Sequence, residues 1–196
     1  MNKQHLLDQI TADMLEDNVC PDLAKTATNI VPGAGSPDAE IMFVGEAPGK
    51  NEDLTGKPFV GAAGKNLDRL LSSIGLTRDD VFITSIVKYR PPNNRDPKPE
   101  EKAAFLPYLV RQMDVIQPAL IVPLGRHGMQ SFLPNAKIGE VHGTLQHDAE
   151  GRPILPMLHP AASLYNHNLK VVIEEDFLSI PKILESIKKG TNAHHE

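Results

Sequence analysis

The sequence predicts an α/β fold with a mainly parallel, four-stranded sheet covered by helices on both faces. Three observations carry this. Apolar runs of strand length alternate with helical patterns, which is the arrangement crossover helices impose on parallel strands. The 196 residues suffice for one domain with a full core and are too few for two of ordinary size. A hydrophobic content of 40% with 23% charged residues is that of a globular chain.

The elements follow in order. Residues 3–16 read as an amphipathic helix with Leu6, Leu7, Ile10 and Met14 on one face. A loop through Pro32-Gly33-Ala34-Gly35 leads to a first strand at 40–45. Next comes an acidic loop punctuated by glycine and proline. It runs from Gly45-Glu46-Ala47-Pro48-Gly49 through Glu52-Asp53 to Gly56-Lys57-Pro58-Phe59-Val60-Gly61. It feeds a helix at 62–74 with Leu67, Leu70, Leu71 and Ile74 in phase. The second strand is 81–87. A proline-rich loop at 91–99 then places Pro99 near the first position of a helix, where its missing donor does no harm. That helix presents Leu106, Leu109, Val110, Met113 and Ile116. The third strand is 120–124, and Gly125 starts a further helix. A polar, hairpin-like region precedes the fourth strand at 154–158, with His159-Pro160 at its end. The last helix carries Ile180, Ile183, Leu184 and Ile187. One domain is expected over 1–190. The tail 191–196 is expected to fray, and His194-His195 reads as tail composition.

Composition narrows the function classes. No apolar run approaches the roughly 20 residues of a membrane helix, and the first helix lacks a signal peptide's apolar stretch. The single cysteine, Cys20, excludes an internal disulfide and suggests a reducing compartment, so a cytoplasmic monomer without membrane attachment is expected. The net charge of -5 argues mildly against tight nonspecific nucleic-acid binding. A local cationic run, Lys88, Arg90, Arg95 and Lys98, stands against that balance.

Open α/β sheets place their sites at the carboxyl ends of their strands. Three such ends converge in this reading: the 45–59 loop, the 85–98 segment, and His159-Pro160-Ala161-Ala162-Ser163-Leu164. The 45–61 loop is neither a P-loop nor a dinucleotide fingerprint, since it lacks the spacing of either. Its carboxylates would repel a pyrophosphate. With a phenyl ring beside them they suit a flat polar ligand.

These motifs resemble the uracil-DNA glycosylase superfamily, most closely its family 4. The resemblance rests on Thr28-Asn29-Ile30-Val31, Gly45-Glu46-Ala47-Pro48-Gly49, Glu52-Asp53 and Gly56-Lys57-Pro58-Phe59-Val60-Gly61. It continues through Ile86-Val87-Lys88, Arg90-Pro91-Pro92-Asn93-Asn94-Arg95, Ile121-Val122-Pro123-Leu124-Gly125 and His159-Pro160. It covers about residues 20–165. It implies a three-layer α/β/α sandwich and hydrolysis of the bond between uracil and deoxyribose in single- or double-stranded DNA, with the nucleotide turned out of the stack. By the same resemblance Glu52 is the water-positioning acid, Glu46 sits beside it, and His159 donates to the uracil oxygen that collects charge. Phe59 stacks on the base, and Gly45, Ala47, Pro48 and Gly49 shape the pocket around it. Lys88, Arg90 and Arg95 contact phosphates. Leu164 or Tyr165 fills the gap the base leaves. His127, His142 and His147 read as structural or surface residues, with no metal-ligand spacing.

Two departures qualify the resemblance. Family 4 holds an iron–sulfur cluster on four cysteines, and this chain has one. Cys20 matches one ligand position, while Tyr89 and Phe105 stand at others. The expectation is therefore an enzyme with no cluster, no metal and no organic cofactor. The second departure is Ser85, where family 4 has an asparagine that reads the uracil edge. Serine offers one short hydroxyl in place of a fixed donor and acceptor, so base preference is open to change. Two alternatives stay open: a non-catalytic nucleic-acid-binding or regulatory protein on the same fold, and a hydrolase of free nucleosides or nucleotides.

Overall fold

The computed structural model describes residues 2–192. The expected fraying of 191–196 lies outside the described residues from 193 onward, as does His194-His195; 191 and 192 end the last helix. Among the described residues the chain forms six strands and eight α-helices. No helix of the described residues is long and apolar enough to cross a membrane.

The first helix, α1 (Lys3–Glu16), starts at Asn2, whose side chain accepts from Gln4 N, and buries Leu7, Ile10 and Met14. A short α2 (Pro21–Ala24) follows. Strands β1 (Ala34–Gly35) and β2 (Ile41–Gly45) precede α3 (Lys50–Thr55) and α4 (Ala62–Ser73). Then come β3 (Phe82–Ser85), α5 (Pro99–Ile116), β4 (Leu120–Pro123), α6 (Gly125–Gln130) and α7 (Ile138–Val141). The chain closes with β5 (Gln146–His147), β6 (Pro153–Ile154) and α8 (His167–Asn192).

The sheet order is β1-β3-β2-β4-β6-β5. The inner four strands are parallel, and β1 and β5 pair antiparallel at the edges. Every residue of β2 is buried. Side chains alternate across the sheet plane, so Met42 and Val44 join a core with α1 and α5, built on Leu7, Ile10, Phe105 and Leu109. Ile41 and Phe43 face the other core, with Leu67, Leu70 and Leu71 of α4 and Ile173, Phe177 and Ile180 of α8. Two helical layers thus enclose one sheet, as the sequence predicts.

The strand count differs from the expected four. The two edge strands have two residues each, too few to show a period of two. The fourth expected strand, 154–158, narrows to Pro153–Ile154. Its line nevertheless continues along β4. Leu155 N donates to Ile121 O at 2.8 Å and Met157 N to Pro123 O at 3.0 Å. Pro156 between them has no N–H to offer. This run delivers His159 to the same end of the sheet as Gly45 and Ser85. The acidic loop also conceals a helix: Gly49 caps α3, with Glu52 at its third position and accepting from Gly49 N.

Candidate functional site

A cleft of about 540 Å³ opens at the carboxyl ends of β2 and β3. Glu46, Ala47, Pro48, Gly49 and Glu52 form one wall, with Phe59, Ser85 and His159 beside them. A strap from Pro91 to Pro97 closes the opposite side.

Phe59 is held in place from every direction. Its φ is 52°, in the left-handed region that a bulky residue enters only when its surroundings compel it. Oε1 of Glu52 accepts the next two amides, Val60 N at 2.8 Å and Gly61 N at 2.9 Å. Oε2 accepts Gly49 N at 3.1 Å. From behind, the Arg78 guanidinium donates to Pro58 O at 2.9 Å and also to Phe59 O, and pairs with Asp68. Two glycines make room. A Cβ on Gly64 would lie 1.7 Å from Phe59 O, and one on Gly45 would lie 2.8 Å from the Phe59 ring. The ring faces His159 at 5.8 Å with an interplanar angle of 29°.

His159 precedes a 3-10 turn at Pro160–Leu164, and its Nδ1 accepts from Ala161 N at 3.1 Å. A neutral ring held this way carries its proton on Nε2. Burial pushes the imidazole below its ordinary pKa, which favours that neutral form. Asn66 of α4 fixes the turn, donating to Pro160 O at 2.9 Å and to Ser163 Oγ at 2.7 Å.

Asp53 is buried behind the loop. Its Oδ1 accepts Thr28 N at 2.7 Å and Asn29 N at 3.3 Å, while Asn29 Nδ2 caps the end of α3 through Asp53 O at 2.8 Å. This accounts for the Thr28-Asn29 motif as an anchor of the loop.

Charged contacts tie the strap down. Arg95 grips Glu101 through two hydrogen bonds of 2.9 and 2.6 Å, which raises the guanidinium's pKa and lowers the carboxyl's. His127 of α6 lies between Asp96 and Glu46, with Nε2 3.4 Å from Asp96 Oδ2 and Nδ1 3.5 Å from Glu46 Oε1. Lys102 Nζ stands 3.3 Å from the same Glu46 oxygen. That oxygen is buried and has no hydrogen-bond partner among the described residues. Glu46, Asp96 and His127 bring possible ligand atoms within 4.8 Å of one another. Lys102 occupies the charge position a cation would take, and the two ring nitrogens face different carboxylates. With Arg126 Nη2 also 3.0 Å from His127 Nε2, we read the group as a polar network in which Lys102 supplies positive charge beside Glu46.

Several expected positions change on the structure. Gly45 lies under the Phe59 ring and does not line the cleft. Lys88, expected on a phosphate-binding surface, is fully buried. Its Nζ donates to Thr84 Oγ1 and Ser85 O, each at 2.6 Å, and to Gln112 Oε1 at 2.8 Å. Burial lowers its pKa to about 7. The lysine follows a strand whose side chains alternate, and its turn aims it into the core. Arg95 lines the cleft, but its charge is committed to Glu101. Arg90 bonds Asn94 Oδ1 at 2.6 Å at the surface. Leu164 and Tyr165 follow the His159 turn, with Tyr165 90% exposed. His127, read from sequence as structural or surface, touches the cleft wall. Arg78, Asn66, Asp96 and Glu101 carry no local sequence signal for their parts here, because each acts on a distant backbone or ion partner.

With this geometry in view, residues 32–178 match the family described as the uracil DNA glycosylase superfamily. The chain is 49% identical over 189 residues to a type-4 uracil-DNA glycosylase of Saccharolobus solfataricus, covering 92% of this chain and 87% of that protein. It is 46% identical over 196 residues to the type-4 uracil-DNA glycosylase of Sulfurisphaera tokodaii, covering 94% and 88%. It is 48% identical over 185 residues to that of Archaeoglobus fulgidus, covering 90% and 92%. The chain belongs to the uracil-DNA glycosylase superfamily.

These relatives correct one expectation, that of an enzyme without an iron–sulfur cluster. They are type-4 glycosylases, the group to which the resemblance attaches a four-cysteine cluster, and near-half identity over nine-tenths of the chain points to one. A lone cysteine is not evidence that the group is absent. The residues themselves do not fit a four-thiolate set. Cys20 is the chain's only cysteine, and Tyr89 and Phe105 in the adjoining core meet edge to face at 5.9 Å and 67°. The comparison and the ligand set disagree.

Proposed function

We propose that this chain hydrolyses the N-glycosidic bond of uracil in single- or double-stranded DNA and so initiates base excision repair. One observation carries the reading. A single cleft at the strand ends gathers a fixed phenyl ring, a histidine with a free Nε2–H, and two carboxylates, in a member of this superfamily.

The flipped base enters the cleft and lies against Phe59. As the bond to deoxyribose breaks, negative charge collects on the departing base, and His159 Nε2–H is the donor placed to meet it. Being neutral, the ring donates without first having to gain a proton. Glu46 and Glu52 border the sugar side and supply the negative charge that an oxocarbenium-like sugar favours. Glu52 also performs a second task. By holding the amides after Phe59 it keeps the ring in its strained position, so its catalytic effect and its positioning effect are coupled. Ser85 Oγ, with no hydrogen-bond partner among the described residues, faces the base edge and leaves the preference among deaminated bases to be measured.

The test is base release from a labelled oligonucleotide carrying one uracil, single-stranded and as a mismatched duplex. Abasic product is expected from both. Silence on uracil and on a panel of other deaminated bases would overturn the reading in favour of a binding protein.

A further inference from the structure

Lys88 is a buried titratable group that the proposed reaction leaves unexplained. Its side chain is completely buried, and no carboxylate is among the groups that bond it. Burying an unpaired charge is costly, so its neighbours need to compensate. They do so by number: three protons meet three oxygens, those of Thr84, Ser85 and Gln112. A neutral amine would turn a lone pair toward one of them.

The network continues beyond the lysine. Thr84 Oγ1 and Gln112 Nε2 both donate to Pro32 O at 2.8 Å, and Val31 N donates to Lys88 O at 2.8 Å. Val31 lines the cleft. The central bond is the one to Ser85. Its carbonyl is drawn down to Lys88 Nζ, while the N–H of the same peptide unit, on Ile86, donates to Gly45 O at 3.0 Å. Val87 N then donates to Glu46 O at 3.0 Å. One peptide plane is thus gripped at both ends, between the lysine and the strand that begins the Glu46 wall. The Ser85 Cα, and with it the unpartnered hydroxyl facing the cleft, is fixed as a consequence.

We propose that Lys88 is a positioning residue for base recognition: bonded to the Ser85 carbonyl from inside the core, it holds the end of β3 so that Ser85 presents its hydroxyl to the base. It does not touch DNA. This inference rests on the proposed function, which places the base beside Ser85.

The experiment separates base recognition from DNA binding. Two quantities are measured for each protein: inhibition of cleavage by free uracil, and affinity for an oligonucleotide with a stable abasic-site analogue. Lys88→Met is expected to weaken uracil inhibition about tenfold, the equivalent of one well-placed hydrogen bond, with affinity for the abasic analogue unchanged. Lys88→Gln, which keeps a neutral donor one bond shorter, should fall between and serves if the methionine variant does not fold. Thr84→Val is the control for mere destabilisation. It removes one acceptor while sparing the bond to Ser85, and should lower the melting temperature while keeping uracil inhibition. If Lys88→Met and Thr84→Val lose uracil affinity equally, or if Lys88→Met loses DNA affinity instead, the inference fails. If the native protein neither cleaves uracil-containing DNA nor binds uracil, the proposed function fails first.

Discussion

The two walls of the cleft are built by different means. The Gly45–Gly61 wall is set by backbone: Glu52 takes three amides, Arg78 takes the carbonyls of Pro58, Phe59 and Gly64, and Phe59 is kept at φ 52° between them. The Pro91–Pro97 strap is set by side chains, the part-buried Arg95–Glu101 pair and Asp96 near His127, with the Asp96 side chain 71% exposed. Three part-buried amides converging on one carboxylate leave little freedom and feel salt less than exposed pairs do. Exposed charge pairs contribute little each and weaken as ionic strength rises. The difference teaches which part sets geometry and which part sets access. The first wall fixes the reacting groups through main-chain bonds, and the second meets it through side chains, with His127 standing between Asp96 and Glu46.

The sharpest way to break that comparison is Glu52→Ala. It leaves three amides without their acceptor and frees Phe59 to relax, so single-turnover base release should fall by about 10²–10³-fold, with a lower melting temperature. A loss under about tenfold would mean the backbone wall does not set the chemistry. A smaller effect, of one to two orders of magnitude, is expected of His159→Ala, and pH sharpens it. Burial holds the His159 pKa below its ordinary value, so the ring is neutral above pH 6.5 and gains a proton only at lower pH. Protonation at Nδ1 removes the acceptor for Ala161 N. Base release in the native protein should therefore drop only below about pH 6.5, and the variant should lack that acid limb. An acid limb centred above neutrality would contradict this. The smallest effect is on the strap. Asp96→Asn should change base release by less than about threefold at low salt, and added salt should bring the native protein toward the variant. A tenfold loss would put the strap among the elements that set geometry.

Much of this architecture was legible in the chain. The helix at 3–16 matches α1 residue for residue, because Asn2 caps it and three apolar residues recur at helical spacing. Strand β2 was visible as a run of apolar residues, which a strand buried on both faces requires. The cleft's Glu46, Glu52, Phe59, Ser85 and His159 sit together because parallel strands put their ends on one side. Lys88 was misplaced because sequence shows a charge but not the face on which it lies. It stands in a basic run whose other members, Arg90, Arg95 and Lys98, all reach solvent in part or fully. Helix α3 was hidden for another reason: six residues are too few for a period, and only the Gly49-to-Glu52 spacing announced it. Arg78 and Asp96 stayed invisible because their partners are a backbone carbonyl and a histidine on other elements. No local pattern encodes such a pairing.

The tight seat of Phe59 also determines how freely this region accepts genetic change. Positions 45 and 64 admit no side chain without a collision, one with the ring and the other with its carbonyl. A single-codon change at either would have to move Phe59 to be tolerated, and no second substitution elsewhere makes space beside a main-chain oxygen. By contrast, Gly139 and Gly190 have open space where a Cβ would go. Variation compatible with an intact cleft is therefore freer at such open positions than at the two glycines that seat Phe59.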